Sequence, residues 1–270
     1  MLPPIQKNYY VFREARNVLE LKSLLELRYR GYLQSRCSSL IKQNPSGLDL
    51  DAYDLRSRHM GFFQLQGKES KPLGYMRFVE DDLTATAPLI WQLALAYPDL
   101  CERLEKDPPT PYPLMENCPK TDELMKFYQQ VKAKGERIAE GSRFVFDKDV
   151  RSRGFPKFML ESSLAVGLFG LGYKHALLAC NPRHGSFYSK FCFKPYEGLE
   201  KFEYDGLPGC VMINTKNEIS VPIKEKFLKM AAIYQHTGML CHFPENQDKF
   251  AISKQEQIQL KQRMALQEAA

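Results

Sequence analysis

The sequence lacks features that several functional classes require. It has a single tryptophan in 270 residues, and its 38 basic side chains exceed the 32 acidic ones without gathering into a basic arm. Nucleic-acid-binding proteins concentrate positive charge on one surface and stack aromatic side chains on bases, so no nucleic-acid partner is expected. The sequence also shows no signal-peptide pattern and no apolar run long enough to cross a membrane, which predicts a protein without a transmembrane segment.

Cysteine spacing excludes two further kinds of site. The seven cysteines contain no Cys-x-x-Cys pair and lie far apart in the sequence. An odd, unclustered set argues against both a disulfide framework and a structural zinc site, so no metal is expected. Free cysteines of this kind are typical of a reducing compartment, and a cytoplasmic location is predicted.

Apolar residues make up 44% of the sequence, and their spacing predicts an α+β domain. Residues 18–33 carry an amphipathic helical pattern that Asn17 can cap, and a second strong helix begins after Gly154. The run His175–Cys180 is almost wholly apolar, as in a strand that is buried on both faces. The predicted strands cover residues 8–14, 59–65, 73–79, 138–146, 175–180, 193–204 and 209–215.

Composition divides the chain into a sheet domain, an insertion and a tail. Residues 83–136 are rich in proline and hold short helical patterns, so they are predicted to form a helical insertion that covers part of the core. Residues 1–220 form the domain that carries this insertion, and residues 221–270 form a C-terminal helical extension. The predicted helices of the insertion and the tail cover residues 89–96, 121–133, 223–235 and 253–267.

A unit from Val145 to Phe193 combines a strand, a glycine turn, a helix and a buried strand, followed by Asn181 and Tyr188. This pattern resembles the acyl-CoA-binding half of the GNAT superfamily of acyltransferases. The resemblance implies a mixed central sheet with flanking helices, in which two strands part near Phe146 and Asn181 and admit the arm of a thioester donor. It also implies that Tyr188 protonates the departing thiolate. The implied donor-binding residues are Phe144, Val145, Phe146, Arg151, Arg153, Gly154 and Asn181.

Two residues depart from that pattern. Pro156 stands where a second small residue is usual, and Cys192 replaces the usual glycine before Phe193. Proline fits the first turn of a helix but removes an N–H group that would hold the pyrophosphate of coenzyme A. The loss favours an acyl carrier protein as the donor, with coenzyme A as the alternative. The basic residues that either meet an acidic carrier or are merely solvated are Lys148, Arg151, Arg153 and Lys157.

A second set of motifs decides which branch of the superfamily the sequence resembles. The set comprises Arg28 on the first helix, Asp51-x-x-Asp54, Gly74-x-x-Arg77 and Glu140-Gly-Ser142-Arg143. In this order the motifs resemble those of acyl-homoserine-lactone autoinducer synthases. They resemble still more closely those of N-acyl amino acid synthases and of acyltransferases associated with the PEP-CTERM/exosortase system. Autoinducer synthases carry a tryptophan shortly after the first-helix motif, and this sequence has none there.

The charged residues of these motifs predict one base and one ion network. Glu140 and Ser142 are expected on one face of a strand, and Arg143 on the other. Glu140 is the candidate general base for an incoming ammonium, with a purely structural carboxylate as the alternative. The other residues are predicted to form a network that is structural or lines the acceptor site, and they are Arg28, Asp51, Asp54, Arg77, Ser142 and Arg143.

Together these features predict an N-acyltransferase that moves a fatty acyl group, long-chain by preference, from a thioester carrier to the amine of an amino acid or related small molecule. Acyl carrier protein or acyl-CoA is the expected co-substrate, and no bound cofactor is expected. An acyl tunnel walled by residues 89–96, Phe62, Phe144 and Phe158 is expected, unless these side chains only fill the core. The alternatives are an acetyl-CoA-dependent acetyltransferase, an acyl-homoserine-lactone synthase and a non-catalytic acyl-ligand sensor or scaffold.

Overall fold

A nine-stranded mixed sheet forms the centre of the protein. The structure is a computed structural model that describes residues 9–41, 43–66, 69–80, 88–104, 107–116, 118–150, 154–204 and 206–242. The strands are β1 (Tyr9–Glu14), β2 (Ser57–Gln66), β3 (Glu69–Glu80), β4 (Ile138–Phe146), β5 (His175–Cys180), β6 (Lys194–Pro195), β7 (Phe202–Tyr204), β8 (Leu207–Thr215) and β9 (Leu240–His242). Their order is β6-β8-β5-β4-β3-β2-β1-β9, with β7 also paired to β8, and among these described strands only β4 and β5 run parallel.

Helices cover both faces of the sheet. They are α1 (Val18–Leu33), α2 (Pro88–Ala96), α3 (Pro98–Leu104), α4 (Pro113–Glu116), α5 (Thr121–Ala133), α6 (Phe155–Leu164), α7 (Gly185–Ser189) and α8 (Val221–Thr237). A π-helical segment, Ala165–Gly170, continues α6. Within the described ranges, none of these helices is both long and apolar enough to span a membrane. The predicted α+β class, with a mixed sheet and flanking helices, is confirmed.

Helix α1 begins and ends where its sequence predicts. The side chain of Asn17 accepts a hydrogen bond from the backbone N–H of Glu20 at 2.9 Å, which satisfies one of the free donors of the first turn. Such a cap contributes about 1 kcal/mol to helix stability. The apolar side of the helix, with Leu21, Leu24 and Leu25, is buried against the sheet.

Alternating side chains of β3 divide the core between the two faces of the sheet. On one face, Met76 and Phe78 pack in a cluster with Met159 of α6. On the other face, Tyr75 packs with Leu24 of α1. Val79 packs on this second face with the insertion, in a cluster that includes Tyr112, Leu114 and Leu124. The insertion and α1 therefore share one face, and α6 lies on the opposite one.

The described part of the C-terminal segment packs into the same domain. Phe227 and Met230 of α8 belong to the core cluster that contains α6. After α8 the chain adds β9 antiparallel to β1, so the sheet gains a strand at its edge. The predicted helix over residues 253–267 lies outside the described residues.

The single strand predicted over residues 193–204 is wrong. The structure has two short strands there, β6 and β7, because the chain turns between them. Gly198 has a φ of 75° in that turn, and the Leu199 N–H donates to the carbonyl of Tyr196 at 2.9 Å. A left-handed backbone conformation favours glycine, so Gly198 was the signal for this turn in the sequence. The residues around it have a strand-like composition.

Candidate active site

The parallel strands β4 and β5 part soon after they begin. They pair at three positions, Ile138 with His175, Ala139 with Ala176 and Glu140 with Leu177. Beyond Glu140, the β5-facing edge of β4 has no strand partner, although both strands are fully described. The sequence predicts the parting near Phe146 and Asn181, whereas the structure opens it several residues earlier. We call this opening the β4–β5 gap.

A β-bulge bends β4 at the mouth of the gap. Ser142 pairs with Arg77 and Val145 with Tyr75, so two residues of β4 lie opposite Met76. The first of them, Arg143, has a φ of 58°, which is uncommon for any residue other than glycine. A bulge of this kind bends its strand and interrupts the regular alternation of side chains.

The bulge corrects one prediction about side-chain direction. Arg143 was expected on the face opposite Ser142, yet both side chains join the same ion network. Arg143 Nη2 lies 3.3 Å from Asp51 Oδ2, and Ser142 Oγ accepts a hydrogen bond from Arg77 Nε at 3.0 Å. The extra residue in the strand accounts for this. It interrupts the alternation of side chains, so that Arg143 lies on the same face of the sheet as Ser142.

An apolar cavity of about 40 Å³ lies at the β4–β5 gap on the α6 face. One water molecule needs roughly 10–15 Å³ of such volume, so the cavity has room for about three waters. A long acyl chain therefore requires the surrounding side chains to move. The lining residues from the sheet, α6 and the turn after β5 include Gly141, Phe144, Ser163, Leu178, Tyr188 and Phe193.

Tyr188 is buried at this cavity, and its ring packs edge-on against Phe193 with the ring centres 5.9 Å apart. Burial raises the pKa of the Tyr188 hydroxyl above its ordinary value. The hydroxyl therefore keeps its proton at neutral pH, which is the state that a general acid requires.

The turn that carries Tyr188 is held from β8. The N–H of Phe191 donates to the carbonyl of Tyr188 at 2.9 Å. Asn214, fully buried on β8, donates from its side chain to the carbonyl of Phe191 at 2.6 Å. Cys192 follows with a φ of 65°, the conformation for which glycine is usual. Sequence reasoning missed Asn214, because a single asparagine in a strand gives no signal until its partner is known.

Glu140 lies where β4 and β5 lose contact, on the face opposite the cavity. Its side chain is 2% exposed and accepts a hydrogen bond from the backbone N–H of Leu114 in α4 at 2.9 Å. Burial raises the pKa of this carboxyl group to about 7, with the Leu114 N–H opposing the rise. The carboxylate can therefore exchange a proton near neutral pH, as a general base must.

The predicted ion network forms beside Glu140. Arg28 is fully buried and contacts Asp49 at 2.5 Å and Asp54 at 2.8 Å. Arg77 contacts Asp51 at 2.6 Å and Asp54 at 2.7 Å. With Arg143, three arginines and three aspartates meet, so the formal charges cancel. Burial alone would raise the pKa of Asp54, but Arg28 and Arg77 hold it well below its usual range.

Two members of this region were not predicted. Asp49 pairs with both Arg28 and Arg143, and its place two residues before Asp51 was the available signal. The second is His59, and both of its ring nitrogens have partners, the Tyr75 hydroxyl at 2.9 Å and the Asp54 carbonyl at 3.1 Å. Burial lowers the pKa of His59 to about 4, so the ring is neutral at pH 7.

The predicted donor-binding residues lie in different surroundings. Gly154 has a φ of 75° at the start of α6, and Phe144 lines the cavity. Asn181 caps the short helix after β5 by accepting from the Arg183 N–H at 3.0 Å. Val145 packs on the α1 face and Phe146 with α6, so their side chains are core rather than cavity walls. Arg151 and Arg153 lie outside the described residues.

The expected walls of an acyl tunnel do not come together. Phe62 and Phe158 pack with each other in the core, with their ring centres 5.7 Å apart. Ile90 and Leu93 of α2 belong to the cluster around α1, on the other face of the sheet. Of the four expected walls, only Phe144 reaches the cavity.

No group of three or more His, Cys, Asp or Glu side chains within the described ranges is arranged to hold a metal ion. The chemistry available here belongs to Glu140, Tyr188 and the unpaired edge of β4. A base beside an open strand, with a protonated tyrosine on the adjoining cavity, is an arrangement suited to acyl transfer.

One family model matches part of the chain. Residues 119–214, from the end of the insertion through β8, match the family model of the N-acyl amino acid synthase FeeM. Over these residues the chain is similar to the N-acyl amino acid synthases. No curated protein matches the chain significantly.

Solved structures similar to this chain share little sequence with it. FeeM from uncultured soil microbes has 12% identity over 79% of this chain and 96% of its own, with a TM-score of 0.48. Escherichia coli ElaA has 14% identity over 77% and 99%, with a TM-score of 0.45. BjaI, a CoA-dependent acyl-homoserine lactone synthase, has 12% identity over 84% and 90%, with a TM-score of 0.47.

Proposed function

We propose that this protein is an acyltransferase that moves a fatty acyl group from a thioester carrier to the amine of an amino acid or a related small molecule. Glu140 accepts a proton from the incoming ammonium, and the amine nitrogen then forms a bond to the thioester carbonyl carbon. The carbon–sulfur bond breaks as the intermediate collapses, and Tyr188 gives its proton to the departing thiolate. The nitrogen loses its second proton in the same collapse, and this proton replaces the one that Tyr188 has given up. The products are an N-acyl amine and the free thiol of the carrier.

The parting of β4 and β5 beside Glu140 is the observation that carries this proposal. The strands are unpaired beyond Glu140 and Leu177, and in this proposal the two substrates meet there from the two faces of the sheet. The thioester lies in the gap with its sulfur at Tyr188, and the amine approaches from the Glu140 face. Backbone N–H groups on the open edge of β4 polarise the carbonyl, and one such donor contributes about 3 kcal/mol to the transition state.

An acyl carrier protein is the proposed donor, with acyl-CoA as the alternative. Pro156 lies in the first turn of α6 and offers no N–H to a pyrophosphate. Lys148 and Lys157 are exposed near this turn, where they can face an acidic carrier. The missing N–H matters less for a carrier protein, which presents one phosphodiester in place of a pyrophosphate.

Mass spectrometry of reactions with purified protein tests the proposal. Palmitoyl carrier protein, palmitoyl-CoA and acetyl-CoA are each supplied with a mixture of the twenty amino acids. A new N-palmitoyl amino acid is expected from the wild type, and Glu140→Gln should form it about 10²-fold more slowly or less. Tyr188→Phe should be slower by about 10²-fold or more, the lower end of the usual range for general acids.

Matched controls separate chemistry from folding. Glu123→Gln and Tyr196→Phe remove the same groups from exposed or half-buried positions on the insertion and its neighbouring loop, and both should keep full activity. Turnover of acetyl-CoA alone would replace the fatty acyl proposal with the acetyltransferase alternative. Acyl binding without any product, unchanged in both site variants, would favour a sensor.

A further inference from the structure

Two cysteines that take no part in the proposed chemistry lie side by side on neighbouring strands. Cys180 ends β5, and Cys210 lies directly opposite it on the antiparallel strand β8. Their Sγ atoms are 3.4 Å apart, and both thiols are free. The two residues are 30 positions apart in the sequence, so it is the pairing of the strands that brings them together. We call them the thiol pair.

The strand geometry of the thiol pair suits a disulfide bond. Residues directly opposite each other on antiparallel strands have Cα atoms about 4.5 Å or about 5.5 Å apart, depending on their hydrogen bonding. A disulfide bond accepts Cα separations of about 4.4–6.8 Å. Either kind of strand pair falls within this range, so the bond can form without a large movement of the backbone.

The two thiols of the pair differ in exposure. Cys180 is half-buried at the end of β5, whereas Cys210 is 4% exposed. A dissolved oxidant therefore meets Cys180 first, and Cys210 is the neighbour that completes the bond. Redox-sensitive cysteines commonly combine an accessible thiol with a second thiol beside it.

The thiol pair lies against the residues that surround the cavity at the β4–β5 gap. Cys210 belongs to the same core cluster as Tyr188 and Phe193, and Cys180 packs against that cluster. Leu178, two residues before Cys180 on β5, lines the cavity, and side chains two apart on a strand share a face. Because the cavity has room for about three waters, an acyl chain enters only if these side chains move.

We propose that Cys180 and Cys210 form a reversible disulfide bond that restricts the entry of the acyl donor. The oxidant is a small disulfide such as oxidised glutathione. The Cys180 thiolate bonds to one sulfur of this compound, whose S–S bond breaks and releases one small thiolate. The Cys210 thiolate then displaces the second small thiolate from Cys180. The protein loses two electrons and two protons, and the small disulfide becomes two thiols.

The bond changes how the cavity can respond to a donor. It ties the end of β5 to β8, beside the side chains that pack around Tyr188. Close-packed interiors transmit strain, so the link opposes the movement that an acyl chain requires. Oxidised protein should therefore bind the donor more weakly than reduced protein. This consequence rests on the proposed function, because it takes the cavity to be the donor site.

Peptide mass spectrometry tests the bond itself. The purified protein is incubated with oxidised glutathione, its remaining thiols are alkylated, and the chain is digested without reductant. Peptides joined through Cys180 and Cys210 are expected, and dithiothreitol should separate them. Cys192→Ser, which removes a half-buried thiol packed against the same core cluster, should keep the joined peptides. Recovery of Cys180 and Cys210 as alkylated thiols would overturn the inference, as would a glutathione adduct that stays on Cys180.

Donor binding tests the consequence without turnover. The ligand is a palmitoyl-pantetheine analogue in which a methylene group replaces the sulfur. It should bind oxidised wild type about tenfold more weakly than reduced wild type, because entry must now distort linked strands. Cys180→Ser, which replaces the half-buried thiol, should bind it equally before and after treatment with oxidised glutathione. Equal affinity of the crosslinked and reduced wild type would overturn the inference. Weaker binding to the crosslinked form supports it even if no N-acyl product is found, an outcome that would count against the proposed function alone.

Discussion

Glu140 carries a charge in a place where charge is unfavourable. Burial raises its pKa from 4.5 to about 7, so the folded state holds a proton that the unfolded state releases between these values. The contribution of Glu140 to stability therefore falls as pH rises from about 4.5 to 7 and stays unfavourable above. An ionisable group whose pKa is strongly shifted by burial is typical of a functional site.

Glu140→Gln should therefore be more stable than the wild type at pH 8. The amide oxygen of glutamine can still accept from Leu114, while the buried charge is gone. With about 1.4 kcal/mol per pKa unit, the gain is at most about 3 kcal/mol. Urea unfolding at pH 8 measures it, and the gain should shrink toward zero at pH 4.5. Exposed Glu123→Gln should show no such difference, and a less stable Glu140→Gln at pH 8 would count against the raised pKa.

The same carboxyl group predicts the pH dependence of the reaction. A base works only when it is deprotonated, so kcat/KM should rise tenfold per pH unit below about 7 and level above it. The measurement is the initial rate of one amino acid acceptor between pH 5 and 8.5. In Glu140→Gln, the residual kcat/KM should not rise with pH near 7. If the rise persists in this variant, another group is responsible for it.

At the scale of single elements, the turn from Tyr188 to Phe193 depends on one hydrogen bond from β8. Asn214→Ala leaves the Phe191 carbonyl without its partner and should cost about 1–3 kcal/mol of unfolding free energy. Because the turn carries Tyr188, kcat should fall about tenfold with the acceptor KM unchanged. Stopped-time assays over a range of acceptor concentrations give both values. Exposed Asn217→Ala is the control, and an unchanged kcat in Asn214→Ala would remove Asn214 from the site.

Elements with strong local signals were the ones that could be predicted. Asn17 fixed the start of α1, and the helical pattern of α5 gave its bounds as the structure has them. Strand β9 has only three residues and forms because β1 offers a free edge, which no local pattern reveals. The bulge at Arg143 is likewise set by pairing with β3, so its effect on side-chain direction was missed.

For the candidate site, it was easier to predict which residues take part than to predict their hydrogen-bond partners. The order of the charged motifs was enough to predict that Arg28, Asp51, Asp54 and Arg77 form one ion network. The hydrogen bond between Glu140 and Leu114 joins residues 26 apart through the insertion, and sequence spacing does not encode it.

At the scale of the whole molecule, the ion network ties α1 to β3 and β4 across the face that carries Glu140. Arg28→Met should destabilise the fold by about 3–5 kcal/mol, because Asp49 and Asp54 are left as buried, poorly paired charges. Exposed Arg30→Met on the same helix is the control, and both are compared by urea unfolding at pH 7. A loss below 1 kcal/mol would show that the network is dispensable.

The network also fixes how the molecule responds to acid. The pKa of Asp54 is depressed in the folded state, so its stabilising contribution is present above about pH 4, near its ordinary pKa, and is lost as pH falls further. In Arg28→Met this acid-dependent loss should be smaller than in the wild type, since one of the two arginines that depress the pKa is gone.

The central claim is that a thioester occupies the β4–β5 gap, and a crystal structure with a stable acyl-pantetheine analogue tests it most directly. The analogue replaces the sulfur by a methylene group, so it cannot react. The account predicts that the pantetheine arm runs along β4 between Gly141 and Phe146, with the methylene beside the Tyr188 hydroxyl and the carbonyl near the bulge. An analogue bound elsewhere, or a gap closed by further pairing of β4 and β5, would contradict it.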